Sequence, residues 1–79
     1  MERTEIFKKV SEIFQEILED DELLIKEEYG SNDIDEWDSL THIMLIVEIE
    51  KKFNIKFLSK EISSWDNIGE MITSIKLKV

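Results

Sequence analysis

Apolar residues recur at Ile6, Phe7, Val10, Ile13, Phe14, Ile17 and Leu18, the spacing of one face of an α-helix. The pattern predicts a helix from Arg3 or Thr4 to about Leu18, where the acid run Glu19-Asp20-Asp21-Glu22 opposes the helix dipole and stops it. From residue 19 to residue 37 no clean period survives, and Leu23, Leu24, Ile25, Tyr29, Ile34 and Trp37 punctuate a polar stretch. A loop of this length must be packed down or functional. Its apolar residues suit it to lie across the helices, with a helical turn around Asp21 to Lys26.

Residues 39 to 53, SLTHIMLIVEIEKKF, carry the strongest helical signal. Asn54 to Phe57 reads as a brief extended exit, and Ser59 to Ile62 as a short helical turn. A last helix runs from about Asp66 to Leu77, with Ile68, Met71, Ile72 and Ile75 on one face and Ser64 or Asp66 as its cap. Gly69 inside it implies close approach by another helix. Period-2 strands, repeats and domain boundaries are absent. The expected fold is all-α, a small helical bundle with a long loop after the first helix, forming one domain over residues 1–79.

At about 100° per residue, the helix from Ser39 has two apolar arcs. Ile43, Leu45, Ile46, Ile49 and Phe53 form a broad core arc; Leu40, Met44 and Val47 form a second one. Two readings stay open. The helix is central and touches neighbours on most sides, or Leu40, Met44 and Val47 make an exposed docking patch accompanied by Thr41, Glu48 and Lys51. His42 falls within the core arc. It is the chain's one histidine, without a second His or a Cys to share a metal, and reads as a structural residue bonded to nearby backbone.

Composition narrows the function. Nineteen acidic residues against ten basic ones give a net charge of −9. Such a surface repels nucleic acid and anionic membrane, and speeds encounter with a partner that presents Lys and Arg. MERTEIFKKV lacks the apolar core of a signal peptide, no segment is a membrane span, and the expected location is cytoplasmic. With no Cys, the chain has no thiol nucleophile and no thiolate metal site.

The acids Asp33, Asp35, Glu36 and Asp38 invite a calcium loop. The pattern fails: counted from Asp33, Trp37 and Asp38 stand where a ligand and the glycine belong, and Met44 where the closing glutamate belongs. No glycine-rich phosphate loop and no basic aromatic patch is present. Lys76 and Lys78 suit the last turn of the final helix. Ser39 is left. Asp38 and Ser39 are both good N-cap residues, and one of them caps the helix. A helix N-terminus is also a favourable place for a phosphate, so a phosphodiester on Ser39 fits there without further accommodation.

The chain resembles the acyl carrier protein family, with its peptidyl and other thiolation-domain relatives. The match lies in Asp38-Ser39-Leu40, in the apolar helix ending in Glu50-Lys51-Lys52-Phe53, in the exit Asn54-Ile55-Lys56-Phe57, and in the entry Ser64-Trp65-Asp66-Asn67-Ile68 to the last helix. It covers essentially the whole chain. The resemblance implies a four-helix bundle with three main helices and a short third one. It implies that Ser39 is modified with 4′-phosphopantetheine by a phosphopantetheinyl transferase using coenzyme A and Mg²⁺. The arm's thiol would carry an acyl or aminoacyl group as a thioester, which accounts for the missing Cys. The protein would then be a monomeric shuttle and not an enzyme. Asp38 would help place the metal and the transferase. Leu40, Met44, Val47, Glu48 and Glu50 would line the helix that ligases and synthases read through basic patches.

Four positions depart from the family. Glu36 stands where a glycine is common, and Thr41, Met44 and Lys51 stand where fatty-acid carriers usually place acids. The recognition face is therefore greasier and less acidic than in a general fatty-acid carrier. Among fatty-acid, polyketide and other biosynthetic pathways, this points to a dedicated carrier in a specialised one: polyketide, modified sugar or polysaccharide, lipid, or amino-acid activation. The competing expectation is an acidic helical interaction module that uses the Leu40/Met44/Val47 patch and no prosthetic group.

Overall fold

The computed structural model describes all residues, Met1–Val79, and contains four α-helices and no strand. They are α1 (Arg3–Ile17), α2 (Ser39–Phe53), α3 (Ser59–Ser64) and α4 (Ile68–Lys78). The expected all-α bundle, with three main helices and a short third one, is the observed architecture. In α1 the periodic face delivers Ile6, Val10, Ile13 and Phe14 to the interior, where α1 packs against both α2 and α4. From α4 come Ile68, Met71, Ile72 and Ile75. One continuous core joins these residues to Leu45, Ile49 and Phe53 of α2.

The long α1–α2 connection is packed down, as its apolar residues imply. Ile25, Ile34 and Trp37 are buried in the same core, and Leu23 and Tyr29 lie against it. Leu24 alone among them is turned out to solvent. The helical turn expected at Asp21 to Lys26 is not there. The connection instead forms a 3-10 turn at Ser31–Asp33, held by the Gly30 N–H donating to Asp33 Oδ2 at 2.8 Å. A short polar turn closed by its own carboxylate carries no apolar period, so nothing in the pattern marked it.

The last helix also begins later than expected. Its N-cap is Asn67, not Ser64 or Asp66, and Asn67 Oδ1 accepts from the Glu70 N–H at 2.9 Å. Ser64 instead closes α3, which is longer than the turn expected over Ser59 to Ile62. Gly69 is approached by the long loop and not by another helix. A Cβ there would lie 3.2 Å from the Glu27 carbonyl oxygen, and the Gly69 N–H donates to that same oxygen at 2.8 Å.

Arg3 ties this corner together. Its guanidinium donates to Glu27 Oε1 at 2.6 Å, to the Gly69 carbonyl at 2.9 Å and to Thr73 Oγ1 at 3.0 Å. The bond and charge of Arg3 hold the Glu27 carboxyl below its ordinary range. At the far end, Lys78 pairs with Glu61 at 3.0 Å, adding a fixed partner to the expected dipole role of the last-turn lysines.

Candidate functional site

The start of α2 is capped by the residues around Ser39 and not by Ser39 itself. Asp38 stands at the N-cap, its Oδ1 accepting from the Thr41 N–H at 2.9 Å. The Asp38 N–H donates back to Thr41 Oγ1 at 2.8 Å, and that hydroxyl donates to the Glu36 carbonyl at 2.9 Å. The Thr41 N–H, and then its hydroxyl, hold the Asp38 carboxyl below the usual carboxylate range. Ser39 is thus the first residue of α2, exposed, with its hydroxyl bonded to no group of the chain. This resolves the choice between Asp38 and Ser39: the cap is Asp38, and the serine hydroxyl is free.

An open groove of about 410 Å³ runs beside Ser39. Three segments wall it: Gly30 and Ser31 from the long loop, Trp37, Asp38, Ser39 and His42 from the start of α2, and Trp65, Asp66, Asn67 and Met71 from the entry to α4. Gly30 lets the loop close on the last of these, since a Cβ there would fall 2.8 Å from the Asp66 carbonyl oxygen. Spacing along the chain does not reveal this grouping, because tertiary packing alone brings the three segments together.

Trp37 anchors the groove. Its ring is buried edge-on against Phe14, with centroids 5.1 Å apart. Its indole N–H donates to His42 Nδ1 at 3.0 Å. The histidine is therefore held by a side chain and not by the backbone group expected for it. His42 is half-buried, and that desolvation pushes its imidazole below the ordinary value.

The outer face of α2 also differs from expectation at one residue. Leu45, Ile46, Ile49 and Phe53 are buried as expected, but Ile43 is 59% exposed. At about 100° per residue it lies nearer Val47 than Ile46. It joins Leu40, Met44 and Val47, which are 67%, 41% and 42% exposed. The four residues form an i, i+3, i+4, i+7 strip that starts next to Ser39. The helix is therefore not covered on most sides.

Polar neighbours flank the strip. Lys51 lies 3.8 Å from Glu48 at the surface. Glu50 is tied inward, Oε2 accepting from the Phe57 N–H at 2.9 Å, and the Thr41 hydroxyl is engaged in the cap. No three His, Asp or Glu side chains converge on an arrangement suited to a metal ion. No helix is long and apolar enough to cross a membrane.

No protein-family model and no curated protein matches the chain. Among solved structures, it is similar to the solution NMR structure of a holo acyl carrier protein from Geobacter metallireducens. The TM-score is 0.84 and the sequence identity 35%, over 90% of this chain and 82% of that one.

Proposed function

The chain belongs to the acyl carrier protein family, and on that premise we propose that Ser39 carries a 4′-phosphopantetheine arm and that the protein holds acyl or aminoacyl groups for other enzymes. The observation that carries this is the division of labour at the start of α2. Asp38 and Thr41 satisfy the cap, which leaves the Ser39 hydroxyl exposed and unengaged. The surroundings fit a phosphodiester there: the positive end of the α2 dipole lies behind it and the groove beside it. The arm would supply the thiol that the chain lacks, so that cargo is held as a thioester.

The chain's own residues then have three tasks. Asp38 fixes the helix start and presents a carboxylate beside the serine, suited to a transferase working with Mg²⁺. The strip Leu40, Ile43, Met44 and Val47 gives partner enzymes an apolar contact. Glu48 and the net charge of −9 favour partners with basic surfaces. A dedicated pathway agrees with the apolar strip, and a cytoplasmic, monomeric carrier with the acidic surface. The protein is read as a carrier rather than a catalyst.

Incubation with coenzyme A, Mg²⁺ and a broad-specificity phosphopantetheinyl transferase should raise the intact mass by one phosphopantetheine. The Ser39→Ala variant should gain nothing. An unmodified wild type, or a gain retained in Ser39→Ala, overturns the assignment and leaves the interaction-module reading. Met44→Glu should load normally, stay within about 0.5 kcal/mol in stability as an exposed substitution, and alter turnover by the partner enzyme. Unchanged turnover removes Met44 from the contact surface.

A further inference from the structure

The Trp37–His42 bond has a consequence for the group on Ser39. An indole N–H only donates, so His42 Nδ1 must be the bare, accepting nitrogen of a neutral ring. The proton of that ring is then on Nε2. This N–H bonds no group of the chain, and no side-chain nitrogen or oxygen is buried without a partner. The Nε2–H is therefore open to solvent. His42 and Ser39 both line the groove, and they are three residues apart on α2. Residues so spaced are neighbours on one helix face, with Cβ atoms about 5–6 Å apart. A phosphodiester on Ser39 Oγ would bring acceptor oxygens to that face of the helix. No Lys or Arg lines the groove, so the imidazole N–H is the side-chain donor lying on the helix face of the serine.

We propose that His42 binds the phosphodiester on Ser39 through its Nε2–H, and that Trp37 is the positioning residue that fixes the imidazole in the tautomer able to do so. The proposal rests on the carrier reading. It gives Trp37 a task besides packing against Phe14, and it orients the arm along the groove. The bond is a neutral donor to an anion, stronger than a neutral pair and weaker than an ion pair. It steadies the arm without fixing it. A partner enzyme that offers a better donor can draw the arm out.

The test uses the loaded chain, uniformly labelled with ¹⁵N. Long-range ¹H–¹⁵N spectra should show the Nε2–H tautomer of His42 both before and after loading. The loaded chain should show a correlation between ³¹P and the His42 Hε2 proton. Its ³¹P resonance should also be displaced from that of the same chain unfolded in urea. His42→Phe should abolish that displacement. His42→Gln, whose amide nitrogen replaces Nε2 as a donor, should keep most of it. Trp37→Phe, which preserves an aromatic ring against Phe14, should load fully while its His42 signals become a mixture of tautomers and the ³¹P displacement shrinks.

A chain that gains no mass overturns the carrier reading together with this proposal, and the mass spectrum shows it before any resonance is read. A chain that loads but shows the Nδ1–H tautomer, or the ³¹P shift of the unfolded chain, overturns this proposal alone. The tautomer and the ³¹P correlation are read on the wild type, so a variant that fails to fold does not remove the test.

Discussion

Two helices begin on the walls of one groove, and they begin differently. Both α2 and α4 have an Asx residue at the N-cap, Asp38 and Asn67, each accepting from the N–H three residues on at 2.9 Å. The next residue is Ile68 in α4, wholly buried, and Ser39 in α2, exposed. The first two N–H groups of α4, on Ile68 and Gly69, reach the carbonyls of Tyr29 and Glu27 at 2.9 and 2.8 Å. Those of α2, on Ser39 and Leu40, reach no backbone carbonyl. One helix start is closed by carbonyls of the long loop, and the other is served only by its own Asp38 cap. Capping is common to both and explains neither. The unengaged, exposed Ser39 hydroxyl sets the start of α2 apart, and it is the feature on which the proposed attachment rests.

The comparison is tested hardest at the first helical residue. Ile68→Ala should cost about 2–5 kcal/mol in urea unfolding, as a truncation of a fully buried side chain. Ser39→Ala should stay within about 0.5 kcal/mol, because its hydroxyl has no partner to lose. Equal losses at the two positions would mean that Ser39 is structural.

The caps themselves should look alike. Asp38→Ala and Asn67→Ala should each cost about 0.5–2 kcal/mol, the usual range for removal of an Asx cap. Asp38→Ala should lie in the upper part, since Asp38 and Thr41 bond reciprocally, whereas the Glu70 side chain accepts from the Asp66 N–H instead of from the cap residue. A silent Asp38→Ala would show that the Asp38–Thr41 bonds do not hold the start of α2, and the division of labour between cap and serine would fail.

The two helix starts also differ in how far the amino-acid sequence reveals them. Asp38-Ser39-Leu40 stands out because local rules act there: an Asx cap, a hydroxyl and the onset of a strong helical period. The free hydroxyl follows from those rules only once Thr41 is seen to complete the cap. The start of α4 is ambiguous along the chain. Ser64, Asp66 and Asn67 are all good caps, and the choice is made by Tyr29 and Glu27, which lie far away in sequence and supply the carbonyls.

Ile43 is a case of the same kind. At about 100° per residue it falls between the buried arc and the exposed strip, about 40° from Val47 and about 60° from Ile46. Only the position of the neighbouring helices assigns it. The Trp37–His42 bond and the groove were least legible, since they depend on three segments meeting. The core, by contrast, was read almost whole. Burial in a small bundle follows the helical period closely, and Leu45, Ile49, Met71 and Ile72 could hardly face elsewhere.

The smallest expected effect is on pH dependence, and it belongs to the α2 side of the groove alone, because no histidine stands on the other wall. Burial holds the His42 imidazole below its ordinary value of 6.5. The folded chain therefore binds fewer protons at this site than the unfolded chain between the two values. Stability contributed by neutral His42 is complete above about pH 6.5 and is lost as pH falls through the lower, folded value. The mechanism is plain: a ring protonated at Nδ1 cannot accept from the Trp37 indole. Asp38 from α2 and Asp66 from the α4 entry are the carboxylates that also line the groove, and burial is what sets the direction of the His42 shift. Urea midpoints of the wild type and His42→Gln, compared at about pH 7.5 and about pH 5.5, isolate this site, since every other titrating group is common to both chains. The wild type's advantage should be greater at the higher pH. A difference that does not change with pH would mean that the folded chain does not favour the neutral His42 ring, and the donor proposed to steady the group on Ser39 would lose its support.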